Sequence, residues 1–364
     1  MKAAILYEPN TQFKVEEVTI DDPQQGEVLV KLVATGVCHS DLHALQGEMQ
    51  CPFPIVLGHE GAGIVEKVGH GVTGLIAGDH VVLSALVFCG RCSYCVSGRP
   101  RLCSLWGRMA VQGALPGGVK RLHKDGQDIN HFYCQSSFAE YAVVNESAAI
   151  KVREDAPLDK IALFACGATT GIGAALNTAK VQAGETVVVY GCGGVGLSTV
   201  IGANLSGAFP IVAVDVSDEK LERAKELGAT HVINASQEEP VRRVLEFTGG
   251  GADHAFYCVG GVDIVPQVLR STKFGGKCII VGLPPRGSTV ETWRPGDFLM
   301  EKVLTGSILG SSRPSIDIPR YVNLFMSGKL PIDKLVTRTY ALDQINDAFA
   351  ALEKGEGVRN VITF

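Results

Sequence analysis

The feature that most constrains the fold is a glycine-rich turn between a strand-like and a helix-like stretch, in "ETVVVYGCGGVGLSTVIGANL" at positions 185–205. Gly191, Gly193 and Gly196 have the spacing G-x-G-x-x-G, and the next strand-like stretch ends at Asp215, 19 residues after Gly196. Such a turn lets the backbone approach a pyrophosphate at a helix N-terminus, while the acid binds ribose hydroxyls. We predict a dinucleotide site that prefers NAD, because Asp215 would repel a 2′-phosphate. The alternative is a glycine turn that binds no ligand.

Strand-like and helix-like stretches continue to alternate after this turn. Strands are predicted at 231–234, 276–282 and 303–309, and helices at 238–248 and 262–272. This alternation is typical of a parallel, doubly wound sheet. The earlier part of the chain instead has short strand-like stretches with many glycines, such as "GEVLVKLVATGV" and "GAGIVEKVG". The sequence therefore predicts an α/β protein whose first part is a β-rich domain.

Composition excludes several classes of protein. The 364 residues are 46% hydrophobic and 20% charged, which is ordinary for a globular chain. The net charge is −5 and no basic block occurs, so we expect no nucleic-acid partner. The N-terminus "MKAAILYEPN" lacks a secretory signal, which indicates the cytoplasm. Residues 186–214 carry no charge, but their six glycines and Pro210 favour strand, turn and helix over a membrane span.

Four cysteines stand close together in "CGRCSYCVSGRPRLC", which has the spacing C-x2-C-x2-C-x7-C at Cys89, Cys92, Cys95 and Cys103. Without a secretory signal a disulfide framework is not expected, so metal binding is the favoured interpretation. Four thiolates suit a closed, tetrahedral, structural zinc site. Free thiols, a redox pair and an iron–sulfur cluster are the alternatives.

A second group of metal-binding residue types is spread along the chain. "GVCHSDLH" contains Cys38, "VLGHEGAG" contains His59, and "FACGATTGIGAA" contains Cys166. One histidine and two cysteines could hold a zinc ion with an open position, as catalytic sites do. By spacing alone the signal is weak, since a single cysteine or histidine is usually structural.

Taken together, the motifs resemble those of the zinc-dependent, medium-chain alcohol dehydrogenases over essentially the whole chain. The resemblance rests on "GVCHSD", "GHEGAG", the four-cysteine loop, "CGATTG", "GCGGVG", "VDVSDEK" and "VRNVITF". It implies a GroES-like catalytic domain at 1–167, to which residues 309–364 return, and a Rossmann domain at 168–308. It also implies an active site in the cleft between the domains, and two zinc ions and NAD as cofactors.

The resemblance also implies roles for individual residues. The catalytic zinc would be held by Cys38, His59 and Cys166, and the structural zinc by the four clustered cysteines. Asp41 would orient the liganding imidazole, Glu60 would lie behind the zinc, and Ser40 and His43 would form a proton relay to solvent. Cofactor contacts are expected from His39, Thr170, Gly191, Gly193, Gly194, Val195, Gly196, Asp215, Lys220, Val281, Leu283 and Arg359. The substrate pocket would be lined by Ala85, Phe132 and Leu283.

Three departures from the family pattern bear on function. His39 replaces an arginine that binds the pyrophosphate in several members. Ala85 replaces a large aromatic residue, so we expect a bulky or aromatic primary alcohol as substrate. The implied reaction is reversible hydride transfer between the alcohol and NAD, which gives the aldehyde, or the ketone from a secondary alcohol. The segment 104–133 resembles an insertion found in dimeric members, so a homodimer is expected.

Two alternative activities and one alternative class stay open. The chain could be a thiol-adduct (S-hydroxymethyl) formaldehyde dehydrogenase, although the arginine of those enzymes is replaced by Gly107, with Arg108 one step on. It could be a nicotinoprotein, which never releases its cofactor. The third hypothesis is a non-enzymatic dinucleotide-binding protein, because a fold does not by itself determine function.

Overall fold

The structure is a computed structural model that describes residues 1–105, 112–284, 287–290 and 294–364. The chain divides into two compact units. The first comprises Met1–Cys166, Arg313–Gly328 and Ile332–Phe364, and the second comprises Gly167–Ser312 and Lys329–Pro331. The first unit thus resumes at Arg313, whereas the predicted return was at 309. Residues just before Arg313 belong to the second unit, in which Asn177 Nδ2 donates to the Gly310 carbonyl at 3.2 Å.

Two sheets form most of the first unit. One has the strand order β2 (Lys14–Glu17), β1 (Lys2–Leu6), β5 (Ile55–Val56), β9 (Gln127–His131), β8 (Leu122–Lys124) and β3 (Thr19–Ile20). The other has the order β11 (Ala149–Lys151), β7 (His80–Leu83), β6 (Gly61–Val68), β4 (Glu27–Val37), β19 (Arg359–Thr363) and β18 (Val336–Ala341), with β10 (Tyr141–Asn145) also paired to β4.

The long strand β4 organises the second of these sheets. Its sequence "EVLVKLVATGV" is apolar along most of its length and is buried on both faces, as a central strand requires. It pairs antiparallel with β6, β10 and β19. Because antiparallel neighbours run in opposite directions, the end of β4 lies beside the beginnings of β6 and β19.

Short helices complete the first unit, and its α-helices are His39–Leu45, Ser93–Val96, Leu158–Ile161, Pro314–Met326 and Ile345–Glu353. The last of them packs its apolar face on the strands, where Phe349 contacts Phe13 and Phe138. This aromatic group lies in a hydrophobic core that also includes Ile5 and Leu6. The core therefore joins the first strand of the chain to its last helix.

The second unit contains a parallel sheet with the order β14 (His231–Asn234), β13 (Ile211–Asp215), β12 (Val187–Tyr190), β15 (Ala252–Tyr257), β16 (Thr272–Ile280) and β17 (Val303–Gly306). The strand order reverses direction between β12 and β15, and ligands of such sheets bind at this switch point, beyond the carboxyl ends of the strands. Its α-helices are Gly167–Gly173, Gly194–Leu205, Asp218–Glu226, Pro240–Thr248, Val265–Arg270 and Pro295–Leu299.

This architecture confirms the predicted α/β fold class, with a β-rich part followed by a parallel sheet. Element bounds differ in detail. The predicted helix 262–272 is a 3₁₀ turn, Val262–Ile264, followed by the helix Val265–Arg270, and β16 already begins at Thr272. The predicted strand 303–309 ends at Gly306, and a 3₁₀ turn with a left-handed Gly310 (φ +61°) follows.

Among the residues that the structure describes, no single helix is both long and apolar enough to cross a membrane. The neighbouring helical segments Leu158–Ala165 and Gly167–Ala179 reach that length and hydropathy only as a bent pair.

Candidate active site and metal centres

In the first unit, the sheet that contains β4, β6 and β19 brings three distant chain segments together. Cys38 follows the end of β4, His59 and Glu60 precede the start of β6, and Arg359 begins β19. The Gly36 amide donates to the Glu60 carbonyl at 3.1 Å, which holds the two chain segments in register. The antiparallel pairing of β4 with β6 and β19 therefore explains why residues far apart in sequence meet here.

A cluster of metal-binding groups lies at this point. One ligand atom each from Cys38, His59, Glu60 and Cys166 lies within 4.8 Å of the others. His59 Nε2 is buried and has no hydrogen-bond partner among the described residues. The donor set suits zinc, because it comprises two sulfurs, an imidazole nitrogen without a hydrogen-bond partner and a carboxylate as an additional ligand. The residues present thus fit a zinc ion.

Asp41 holds this cluster in position from the first turn of the helix His39–Leu45. Its Oδ1 accepts from His59 Nδ1 and from the Gly58 amide, both at 3.0 Å, and its Oδ2 accepts from the Cys38 amide at 3.1 Å. Because the carboxylate accepts a hydrogen bond from Nδ1–H, it selects the tautomer of His59 that leaves Nε2 free for a metal. Asp41 thereby orients one ligand and anchors the backbone of another.

The electrostatics of the cluster favour a thiolate. The hydrogen bond with the Cys166 thiol is the main reason that the pKa of the Cys38 thiol lies well below its usual range. Burial raises the pKa of the Glu60 carboxyl to about 7, although the charge of Arg359 opposes this rise. Arg359 Nη2 donates to the Glu60 carboxylate, and both side chains are buried. Arg359, expected at the pyrophosphate, therefore pairs with Glu60 in this structure.

The predicted relay residues lie on the helix that follows Cys38. Ser40 is partly buried and His39 is exposed. His43 Nδ1 lies 2.5 Å from Glu48 Oε2, and the two side chains are 21% and 42% exposed. The structure thus places His43 at the surface end of the helix, in contact with an acid that the sequence analysis did not single out.

A second residue missed by the sequence analysis is Tyr133. Its ring stacks on the imidazole of His59, with centroids 4.9 Å apart and an interplanar angle of 26°. The Ser40 hydroxyl lies within hydrogen-bonding reach of its phenol oxygen. Tyr133 adopts a left-handed conformation (φ +49°), which is uncommon for residues other than glycine, asparagine, aspartate and histidine. The sequence carries no motif that would have revealed either contact.

The four-cysteine loop forms a separate cluster, in which the sulfurs of Cys89, Cys92, Cys95 and Cys103 lie within 4.8 Å of one another. Backbone amides of the loop point at these sulfurs, since the Cys89 amide donates to Cys103 Sγ and the Cys92 amide to Cys89 Sγ, both at 3.3 Å. Backbone hydrogen bonds, chiefly from Cys95, lower the pKa of the Cys92 thiol to about 6. The loop therefore brings together four sulfurs at a spacing that suits a tetrahedral zinc.

The glycine-rich turn of the second unit has the geometry of a phosphate site. Gly191 has φ +94°, and a Cβ there would lie 2.4 Å from Val259 Cγ1. A Cβ on Gly196 would lie 1.7 Å from the Gly191 carbonyl oxygen, so only glycine lets the helix Gly194–Leu205 approach β12 this closely. A Cβ on Gly193, by contrast, would meet open space at the helix N-terminus. This open cradle fits a pyrophosphate.

Asp215 lies at the carboxyl end of β13, beside this turn. Its carboxylate accepts from the backbone amides of Cys192, Val216 and Ser217 at 2.7, 2.8 and 3.0 Å. These bonds hold a negative charge at the edge where a ribose would lie. The geometry therefore suits the recognition of ribose hydroxyls.

The remaining predicted residues are distributed as follows. Gly194 and Val195 begin the helix after the turn, Lys220 lies in the helix Asp218–Glu226, and Thr170 is buried in Gly167–Gly173. Val281 follows β16, and Leu283 is 52% exposed.

In the first unit the predicted pocket residues Phe132 and Ala85 are buried. Phe132 lies edge-on to His59 with centroids 5.7 Å apart, and the Ala85 amide donates to the Ala165 carbonyl at 3.1 Å. Gly107 and Arg108 lie outside the described residues.

Comparison with known proteins adds to this geometry. Residues 24–154 match the model of the alcohol dehydrogenase GroES-like domain, and residues 194–327 match that of zinc-binding dehydrogenases. The chain is 40% identical over its whole length to S-(hydroxymethyl)glutathione dehydrogenase of Paracoccus denitrificans, 99% of which is covered.

Two solved structures resemble the chain closely. One is an alcohol dehydrogenase zinc-binding domain protein from Burkholderia ambifaria, with a TM-score of 0.97, 38% identity, and coverage of 100% of this chain and 98% of that one. The other is benzyl alcohol dehydrogenase from Acinetobacter calcoaceticus, with a TM-score of 0.95, 40% identity, and coverage of 100% and 99%. The chain therefore belongs to the zinc-dependent, medium-chain alcohol dehydrogenases, which are NAD-dependent oxidoreductases.

Proposed function

We propose that the chain oxidises an alcohol at the cluster formed by Cys38, His59 and Cys166, with NAD as the acceptor. The observation that carries this proposal is the buried, unpartnered Nε2 of His59, which faces two sulfurs and is oriented by Asp41. When bound, a zinc ion supplies Lewis acidity and the nicotinamide supplies hydride acceptance.

The residues around the cluster have supporting roles in this proposal. Ser40 Oγ accepts the hydroxyl proton of the alcohol and passes a proton on towards His43, which releases it to solvent. Phe132 and the small, buried Ala85 exclude water from the reacting carbon. Glu60 and Arg359 form a buried pair behind the sulfurs and keep the local charge balanced.

The metal assignment is tested by Cys166→Ala. The variant should lose turnover and keep about one zinc ion per chain, because the four-cysteine loop retains its own. Metal analysis and alcohol-dependent NADH formation measure the two results. Full activity in Cys166→Ala would contradict the proposed catalytic site.

Preference for NAD over NADP is assigned to Asp215. A 2′-phosphate would meet a carboxylate that three backbone amides hold in place. Asp215→Gly should shift the ratio of kcat/KM for NADP over NAD upward by about tenfold or more. A higher kcat/KM with NADP in the unmutated enzyme would overturn this assignment.

For the substrate we propose a bulky or aromatic primary alcohol. Two features support this choice: alanine at 85 takes up less space than an aromatic residue would, and the phenyl ring of Phe132 lies beside His59. One similar structure is named a benzyl alcohol dehydrogenase. Ala85→Phe should lower kcat/KM for benzyl alcohol more than for ethanol. A wild-type enzyme fastest on ethanol, and unaffected by Ala85→Phe, would refute this assignment.

A second candidate is the oxidation of S-(hydroxymethyl)glutathione, because a relative that is 40% identical over the whole chain carries that name. A panel of primary, secondary, aromatic and thiol-adduct substrates decides between the two. Extraction of the cofactor after denaturation shows whether NAD remains bound between turnovers. A chain that binds NAD but oxidises no member of the panel would favour a binding protein.

We further propose a homodimer formed through β17. This strand ends the described part of the parallel sheet and exposes Val303, and it lies near exposed Phe274, Leu299 and Met300. An open strand edge flanked by apolar side chains suits pairing with the same strand of a second copy. Light scattering should give twice the chain mass of 38.6 kDa, and Val303→Lys should give monomers. Ile76→Lys, at a residue of the first unit that is 66% exposed, is the matched control.

A cytoplasmic location is part of the proposal. None of the cysteines, all of which lie among the described residues, forms a disulfide in the structure, and two groups of them suit zinc, which fits a reducing compartment.

A further inference from the structure

Glu48 and His43 are joined by two contacts at the end of the helix His39–Leu45. The Glu48 amide donates to the His43 carbonyl at 2.8 Å, and Glu48 Oε2 lies 2.5 Å from His43 Nδ1. Gly47 makes this possible because it turns the chain in a left-handed conformation (φ +73°) that most residues avoid. The backbone contact thus holds the carboxylate against one particular nitrogen of the ring.

A carboxylate is an acceptor only, so it selects the ring tautomer. The neutral imidazole carries one proton, and the carboxylate draws it to Nδ1. Nε2 is then the bare nitrogen. The same arrangement orients the histidine in acid–histidine pairs of other enzymes, where loss of the correct tautomer is costly.

We propose that Glu48 is a positioning residue that sets His43 in the Nδ1–H tautomer, so that Nε2 accepts the proton released during alcohol oxidation. This inference rests on the relay role of His43 in the proposed function. A proton that arrives from the substrate side binds to Nε2, and the ring then carries a proton on each nitrogen. The cationic ring is paired with the Glu48 carboxylate. One ring proton leaves to water, which both side chains reach at 21% and 42% exposure, and the neutral ring is restored.

The tautomer can be measured without turnover. Histidine-specific ¹⁵N labelling of the zinc-loaded enzyme, at about pH 8.5 where histidine is ordinarily neutral, distinguishes the two ring nitrogens. The signal of His43 is assigned by its loss in His43→Asn. We expect the Nδ1–H tautomer in the wild type and a substantial population of Nε2–H in Glu48→Ala. An Nε2–H ring in the wild type, or identical spectra in the two proteins, would overturn the proposal.

Kinetics separate this inference from the role of His43 itself. Glu48→Ala should lower kcat by about tenfold and change KM little. This loss is smaller than the contribution of about 10²–10⁴-fold from a general base, because Glu48 positions His43 and does not itself accept the proton. Glu353→Gln is the matched control, because Glu353 accepts from Gln46 at 3.0 Å near the same helix end without contacting His43.

Two outcomes have different meanings. If His43→Asn loses activity while Glu48→Ala keeps full kcat, His43 acts in the relay and Glu48 does not position it. If His43→Asn keeps full kcat, the relay in the proposed function is wrong, and the role of Glu48 falls with it.

Discussion

Replacement of Asp41 by asparagine is the sharpest test of the catalytic cluster. Asp41 is fully buried, and all of its contacts are donors: His59 Nδ1, the Gly58 amide and the Cys38 amide. A carboxylate satisfies them with acceptors on both oxygens. The asparagine of Asp41→Asn has the same shape but carries an NH₂ group on one side, so one set of donors must face another donor.

Both orientations of the amide weaken the metal site. If the amide oxygen stays on His59, the NH₂ group faces the Cys38 amide, and one charge-assisted hydrogen bond worth about 1.5–3 kcal/mol is lost. If the amide flips, its NH₂ group faces His59 Nδ1. The ring proton then moves to Nε2 and occupies the ligand atom. Burial raises the pKa of the Asp41 carboxyl, because removal from water disfavours its charged form. The hydrogen bonds from its three donors oppose this effect in the native site. We expect zinc affinity at the catalytic site to fall by about 10–100-fold.

Competition with a fluorescent zinc chelator measures the affinity of each of the two sites, and urea unfolding reports whether Asp41→Asn is folded. Only the catalytic site should weaken. Asp22→Asn is the control, because Asp22 is 72% exposed and pairs with Lys67 at the surface. A folded Asp41→Asn protein that binds both zinc ions within about twofold of the wild-type affinity would refute the orienting role of Asp41.

Three further predictions concern other parts of the first unit. In Gly36→Ala the new Cβ would lie 2.0 Å from Glu60 Oε2, so the buried pair of Glu60 with Arg359 should break. The free energy of unfolding, measured with a chemical denaturant, should fall by about 3–5 kcal/mol. An unchanged unfolding midpoint would contradict this prediction. Cys92→Ser should lower the zinc content by about one ion per chain and promote aggregation, whereas normal folding with two zinc ions would exclude the loop as a site. Burial, and secondarily the charge of Arg121, lower the pKa of His131 to about 3. As pH falls from about 6.5 towards 3, His131 is therefore protonated in the unfolded chain and remains neutral in the native chain. Stability should therefore fall by about 1.4 kcal/mol per pH unit in that window, and His131→Gln should show a shallower slope; parallel slopes would disprove the assignment.

Local patterns in the sequence were sufficient for the fold class and for part of the site. The turn at Gly191–Gly196 and the acid at Asp215 are separated by one helix and one strand, so their geometry follows from short-range chain stereochemistry. The loop from Cys89 to Cys103 closes on itself through its own backbone amides. In both cases the interacting groups are neighbours in sequence, and spacing alone carries the information.

The catalytic cluster is different, because its members are not neighbours. Cys166 lies 107 residues after His59, and sequence spacing left their proximity as a weak hypothesis that only a family resemblance strengthened. The pairing of Arg359 with Glu60 follows from the position of β19 beside β4, and the stacking of Tyr133 on His59 follows from the packing of separate segments. Even Glu48, five residues from His43, contacts it only because Gly47 turns the chain back. Sequence determined which chemical groups were present and the local turns that hold some of them; tertiary structure decided which groups meet, because long-range strand pairing and core packing act between residues that no local pattern connects.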